Sequence, residues 1–246
     1  MKIEILGYWG GYPKDGGATT GYLITTDEGK ILLDCGSGVL SKLSTKTKVE
    51  ELSGVILTHL HYDHMSDIGV LQYAAFGALR NKRMIDKIKV YAPNEPKNFW
   101  DFIQNENVDS IPITEESHIQ IAGAEIEFLS VKHTIPCYAV KISYKGQVFV
   151  FSADTEYIDS LIDFARGADL FFCEATICEG SVHTVGKGHM DAEQAATIAK
   201  NAGVKTLVLT HLPHDGNFGL MKETASSIFE GTVYMAFENE SYILSK

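Results

Sequence analysis

The stretch Thr58-His59-Leu60-His61-Tyr62-Asp63-His64 constrains this chain more than any other, because it puts three imidazoles and a carboxylate into six residues. It follows the apolar run Val55-Ile56-Leu57. That order predicts a metal-binding loop at the end of a buried strand. His59 and His61 are two apart, so in extended backbone both side chains leave the same side and can hold one ion together. Asp63 and His64 are adjacent and point differently, which suits a second ion better than a further place on the first. A polar surface loop is the alternative reading; the scarcity of histidine weighs against it.

The flanking pattern alternates strands and helices. Strands are expected over 2–6, 18–25 and 30–34, and a helix near 39–43. Ile68, Leu71, Ala75 and Leu79 recur at helical spacing, predicting a helix from Ser66 or Asp67. Next come a strand at 87–92, a helix at 95–105 and hairpins over 116–121/124–130 and 137–144/147–152, turned by Ala122-Gly123 and Lys145-Gly146. A helix at 157–166 and a strand at 168–173 follow. Asp191 and Gln194 have the spacing of a capping box opening a helix that Gly203 ends. A strand at 206–209, a helix near 219–229 and two short strands close the chain.

Further candidates fall at the ends of these strands: His133 after 125–131, Asp154 after 147–152, Glu174 after 168–173 and His211 after 206–209. Leu209-Thr210-His211 repeats the order of Leu57-Thr58-His59. Asp154 is either a ligand or the N-cap of the helix after it. Asp34 either orients a ligand histidine from behind or caps the turn Cys35-Gly36-Ser37-Gly38. His189 sits at a helix N-terminus, a place that favours an anion, or merely flanks the helix. The loop Gly7–Gly17, with five glycines and three aromatics, either rims a pocket or is a surface loop with a satellite aromatic cluster.

Composition narrows the function classes. A net charge of -11, from 32 acids and 21 bases, opposes nonspecific nucleic-acid binding, which needs Lys and Arg against phosphates. Bound cations would reverse that sign locally for a small anionic substrate. The four cysteines, Cys35, Cys137, Cys173 and Cys178, form no CxxC pair and lie in or beside apolar stretches, so buried free thiols are expected. With no signal-peptide pattern and no apolar run of transmembrane length, the expectation is a cytoplasmic protein, away from membranes, forming one domain over 1–246.

These residues resemble the metallo-β-lactamase superfamily: His59-x-His61-x-Asp63-His64, then His133, Asp154 and His211, in that family's order across most of the chain. The resemblance implies an α/β fold, an αβ/βα four-layer sandwich of two mixed β-sheets packed face to face, with ligands on loops at one sheet edge. It implies His59, His61 and His133 on a first metal, Asp63, His64 and His211 on a second, and Asp154 bridging. Two Zn2+ per chain are expected, with Mn2+ or Fe2+ as alternatives. Two such ions about 3.5 to 4 Å apart share a hydroxide and clamp an anionic group under in-line attack.

The second half is most similar to the ribonuclease Z group, through His133-Thr134-Ile135-Pro136, Ser152-Ala153-Asp154-Thr155, Glu174-Ala175-Thr176 and Gly188-His189-Met190-Asp191. That likeness implies catalytic roles for Asp63, handling the attacking water's proton, and His189, stabilising or protonating the departing oxygen. The group's tRNA-gripping arm lies between the third histidine and the bridging aspartate. Here His133 and Asp154 are 21 positions apart, and one hairpin fills them. The early loop lacks the group's PxKxRN pattern, and Leu212-Pro213-His214-Asp215 follows His211.

The expectation is therefore an arm-less phosphodiesterase acting on a small phosphodiester or nucleotide-type substrate, with tRNA set aside as a partner. Arylsulfatase, lactonase, thioesterase or ribonuclease Z-type tRNA cleavage are alternatives on the same site, and a noncatalytic metal-binding protein is the alternative of a different class. True β-lactamases generally lack an aspartate placed like Asp154, and oxygen-reducing diiron members carry Glu at the place of His61. A homodimer is expected by analogy alone. His118, His183 and His214 stay unassigned: His183 and His214 lie near the site in sequence and either touch substrate or, the preferred reading, take surface roles.

Overall fold

A computed structural model describes residues 1–178 and 187–245. The first half runs β1 (Lys2–Gly7), β2 (Gly21–Thr26), β3 (Gly29–Leu33), α1 (Val39–Leu43), β4 (Leu52–Ile56), α2 (Tyr62–Met65), α3 (Ile68–Arg80), β5 (Ile88–Ala92), α4 (Lys97–Ile103) and β6 (Val108–Pro112). The second runs β7 (His118–Ile121), β8 (Ala124–Ser130), β9 (Tyr138–Tyr144), β10 (Gln147–Phe151), α5 (Asp159–Phe164), β11 (Leu170–Glu174), α6 (Ala192–Ala202), β12 (Thr206–Thr210), α7 (Phe218–Ile228), β13 (Thr232–Met235) and β14 (Ser241–Ile243). They form two seven-stranded sheets, ordered β14-β1-β2-β3-β4-β5-β6 and β13-β12-β11-β10-β9-β8-β7. Both mix parallel with antiparallel pairs. This is the four-layer α/β sandwich that the sequence resemblance implies.

Side-chain alternation explains the layers. On β2 and β3, Tyr22, Ile24, Ile31 and Leu33 join the same buried cluster as Phe149, Phe151 and Phe172 of the other sheet. Leu23 and Leu32, one residue out of phase, pack instead with Val39, Leu71 and Trp100 from the helices. Tyr22 ties the sheets together, its ring 5.1 Å from those of both Phe151 and Phe172 in edge-on geometry. The two hairpin turns hold consecutive residues at positive φ, Ala122 (52°) with Gly123 (72°) and Lys145 (49°) with Gly146 (75°), a combination whose twist matches paired strands.

Three expectations shift. Residues 18–20 of the expected strand 18–25 lie ahead of β2, with Thr19 in an isolated bridge to Trp9. The helix expected over 157–166 occupies Asp159–Phe164 with Ile158 at its N-cap, so Asp154 does not cap it. Strand β6 was not expected at all: it lies at a sheet edge, only Val108 is buried, and Pro112 ends it, so it lacks a strong period-2 pattern. No helix of the described residues is long and apolar enough to cross a membrane.

Candidate metal centre

Strands β3 and β4 run parallel, as do β10, β11 and β12, so their C-terminal ends gather along one edge of the sandwich. The chain turns sharply there. Asp34 after β3, Ala153 after β10 and His211 after β12 all take left-handed backbone, at φ 58°, 53° and 52°. Such non-glycine residues cost conformational energy and persist where surrounding structure holds them. Of the strand-end candidates, His133, Asp154 and His211 land with their polar atoms in two adjoining clusters, whereas Glu174 groups with His189 and His211 and Asp34 stands behind His64.

The first cluster is His59, His61 and His133. Nδ1 of His61 lies 3.1 Å from His59 Nε2 and 3.0 Å from His133 Nε2. The second is Asp63, His64, Asp154 and His211. His211 Nε2 is 3.0 Å from Asp63 Oδ2, and His64 Nε2 is 3.6 Å from it. Asp154 faces both sets: Oδ2 lies 3.2 Å from His211 Nε2 and 3.7 Å from His59 Nε2, and Oδ1 lies 3.4 Å from His64 Nε2. Ligands about 2.0 to 2.1 Å from a tetrahedral ion stand roughly 3.3 Å from each other, so these spacings suit coordination.

The outer hydrogen bonds fix which nitrogen faces inward. Thr58 Oγ1 donates to Asp34 Oδ2 at 3.0 Å, so it accepts from His59 Nδ1–H at 3.1 Å. Nδ1–H of His64 donates to Asp34 Oδ2 at 2.8 Å, and that of His133 to the Gly188 carbonyl at 2.8 Å. Thr176 Oγ1 donates to the His211 carbonyl and accepts from His211 Nδ1–H at 2.6 Å. Four histidines thus aim an Nε2 lone pair into the site. His61 is reversed, its Nε2 beside Thr134 Oγ1 at 3.4 Å and its Nδ1 inward. Lone pairs converging this closely repel one another unless a cation lies among them. His64 Nε2 and Asp154 Oδ1 are buried and have no hydrogen-bond partner among the described residues, which buried polar atoms seldom tolerate. The residues present fit divalent metal.

Electrostatics agree with this. Burial, then the neighbouring His133, pushes His61 down to about 4, and burial with His64 depresses His59, so both remain neutral donors. At His64 burial works the same way, but Asp154, Asp63 and Asp34 outweigh it and hold the imidazole well above its usual range. Three carboxylates around one buried ring call for positive charge at that place.

His189 belongs to the same edge but to a different network. Its Nδ1–H donates to Glu174 Oε1 at 3.0 Å, and Glu174 is anchored in turn by the Thr155 and Thr176 backbone N–H groups at 2.9 and 3.1 Å. Burial alone would lower His189; the Glu174 carboxylate reverses this and raises it to about 9, leaving an imidazolium at neutral pH. Its ring stacks 5.5 Å from that of His211. Gly188, at φ 86°, must be glycine on two counts, since a Cβ would also lie 2.7 Å from His133 Nδ1.

A cavity of about 720 Å3 opens over these groups, lined by His61, Asp63, His133, Asp154, His189 and His211 among others. The loop Gly7–Gly17 settles beside it: Gly11 N–H donates to Asp63 Oδ2 at 2.8 Å, and Tyr12 lines the wall. Asp34 orients His64 and Thr58, the first of the two roles left open for it. His214 lines the cavity, which favours the substrate-facing alternative over the preferred surface role, whereas His118 is exposed at the start of β7. His183 lies outside the described residues. Of the cysteines, Cys35, Cys137 and Cys173 are buried free thiols, and Cys178 is half-buried. Sequence reasoning missed Thr58, Thr176 and Thr134 as partners of His59, His211 and His61; only Thr58 neighbours its own histidine in the chain, so the other two pairings leave no local signal in the sequence.

A family model for the Beta-lactamase superfamily domain matches residues 29–212. Over 238 residues the chain is 35% identical to the probable metallo-hydrolase YhfI of Bacillus subtilis (strain 168), covering 96% of this chain and 97% of that one. The crystal structure of YhfI superposes with a TM-score of 0.94 at 33% identity, over 98% of each chain. Ribonuclease Z of Clostridium novyi (strain NT) is 28% identical over 309 residues, covering 99% of this chain and 96% of the other. A diphosphatase from the PhnP family shares the fold, with a TM-score of 0.77 at 16% identity over 99% and 98% of the two chains. Matched along nearly its whole length by a metallo-hydrolase relative, the chain belongs to the β-lactamase superfamily and has the metallo-β-lactamase fold.

Proposed function

We propose that this protein is a dinuclear metal-dependent phosphodiesterase for a small phosphodiester, the whole chain serving as one hydrolase domain. His59, His61 and His133 would hold one divalent ion, Asp63, His64 and His211 a second, with Asp154 between them. The observation that carries the proposal is the placement of the Asp154 carboxylate, 3.7 Å from His59 Nε2 on one side and 3.2 and 3.4 Å from His211 and His64 Nε2 on the other. Imidazole-rich ligand sets suit Zn2+, and a pair of such ions supplies Lewis acidity and an activated water at neutral pH.

The chain's own groups supply the rest. Against its burial, Asp63 is kept ionised by His64 and His211, and it takes the proton of the attacking water. The His189 imidazolium, held by Glu174, gives a proton to the departing oxygen. Lys187, on the cavity lining, adds a cation for an anionic substrate. Between His133 and Asp154 the chain makes only the hairpin β9–β10, turned by Lys145-Gly146, which supports a small substrate over tRNA.

Hydrolysis of bis-p-nitrophenyl phosphate by zinc-replete protein tests this reading, with loss of turnover expected in His59→Ala and Asp154→Ala. Undiminished turnover in either variant refutes it. An aryl sulfate, a lactone or a thioester hydrolysed with higher kcat/KM than any phosphodiester in a parallel panel moves the assignment to that ester.

A further inference from the structure

The loop Gly7–Gly17 carries more aromatic surface than a connection between strands needs. Its backbone lies directly on the metal-centre residues: a Cβ on Gly10 would stand 2.8 Å from His211 Cε1, and Gly11 N–H bonds Asp63. Tyr12 is the next residue, about 3.8 Å further along the chain. Its ring lines the cavity and is 63% exposed.

That ring is not loose. The His214 imidazole stacks on it at 3.8 Å between centroids and 15° between planes, and also stacks on Trp9 at 5.3 Å and 7°. His214 Nε2–H donates to the Tyr12 carbonyl at 2.7 Å, and Lys14 Nζ donates to the His214 carbonyl at 2.8 Å. One face of Tyr12 is covered by His214, so the opposite face carries its exposure. A rigid aromatic face held ready in this way loses little rotamer freedom when a flat ring settles on it.

The cavity thus offers cationic and metal-binding groups at its floor and a prebuilt stacking face at its rim. Its volume of about 720 Å3 lies within the usual range for small-molecule sites. A ligand filling both ends needs a phosphate and a planar ring joined by a short spacer. We infer that Tyr12, backed by His214 and Trp9, is the subsite for the base of a nucleoside phosphodiester. This assignment rests on the phosphodiesterase reading above and names the substrate class for it.

Calorimetry on zinc-replete protein tests the subsite without turnover, using thymidine 5′-monophosphate, phenyl phosphate and inorganic phosphate against wild type, Tyr12→Ala and Tyr12→Phe. Stacking of one base predicts that wild type binds the nucleotide at least about tenfold tighter than inorganic phosphate. Tyr12→Ala should lose that advantage with its phosphate affinity unchanged, and Tyr12→Phe should keep it. Equal affinities in wild type, or an equal loss of both ligands in Tyr12→Ala, overturn the subsite. Phenyl phosphate binding as tightly as the nucleotide overturns the nucleoside assignment in favour of a general aryl site. Methyl p-nitrophenyl phosphate, which has no base, tests the hydrolytic reading separately: if it is not turned over while the Tyr12-dependent nucleotide preference persists, the phosphodiesterase reading fails and the subsite stands.

Discussion

Replacing Glu174 by Gln isolates the pairing that holds the proton on His189. The imidazole is raised from an ordinary 6.5 to about 9. At about 1.4 kcal/mol per pH unit this is roughly 3 kcal/mol of preference for the charged ring. Gln keeps the size of the side chain and an oxygen for the Thr155 N–H but removes the charge. If His189 then titrates near 6.5, the protonated fraction at pH 8 falls from about 0.9 to about 0.03, and hydrolysis of bis-p-nitrophenyl phosphate by the zinc-replete variant falls roughly 30-fold. At pH 5.5 both proteins carry the proton and their rates should agree. The alkaline limb of kcat, near pH 9 in wild type, therefore moves down by about two and a half pH units.

Stability carries the same sign. A group whose pKa rises on folding contributes fully below its unfolded value of about 6.5 and loses that contribution as pH climbs through about 9. The stability gap between wild type and Glu174→Gln should shrink from pH 6 to pH 10. An alkaline limb that stays in place while the variant folds normally refutes the role given to this pair.

Other perturbations have equally definite outcomes. Asp34→Asn removes the buried charge behind His64 and Thr58, and competition against a chelator should show zinc affinity weakened roughly 10- to 100-fold. Gly10→Ala sets a methyl group 2.8 Å from the His211 ring; turnover should fall by at least tenfold with the far-ultraviolet circular dichroism unchanged, and full activity would show that the loop does not bear on His211. Phe172→Ala empties a fully buried position whose ring meets Tyr22 and Phe149 at 5.1 Å. Urea unfolding should show a loss of about 3 to 5 kcal/mol. Stripping metal should lower the melting temperature, and zinc should restore it, because ions that bind only the folded chain stabilise it by mass action.

The sequence showed the site most clearly where the chemistry is local. His59, His61, Asp63 and His64 share one loop, and an apolar strand ahead of them fixed where that loop starts. His133, Asp154 and His211 were legible because each follows a strand, and parallel strands bring their ends together. Side-chain pairing was not legible. Thr58-His59 and Thr210-His211 look alike in sequence, yet Thr58 supports His59 whereas Thr210 bonds the Tyr22 hydroxyl and leaves His211 to Thr176. The partner of each histidine depends on which strands lie side by side, and that is a property of both sheets. The contact between His214 and Tyr12 was hidden for the same reason: 202 positions apart, they meet only when the sheets close. Strand β6 escaped because an edge strand with one buried residue leaves little hydrophobic period to see.

In the proposed dinuclear centre, two adjoining groups of His and Asp side chains, seven in all, would hold two ions with Asp154 between them. Elemental mass spectrometry of zinc-replete wild type and Asp154→Ala, after exhaustive dialysis, tests it directly. Two zinc ions per wild-type chain and fewer in the variant are expected; one ion or less in wild type, or an unchanged count in Asp154→Ala, refutes the dinuclear centre.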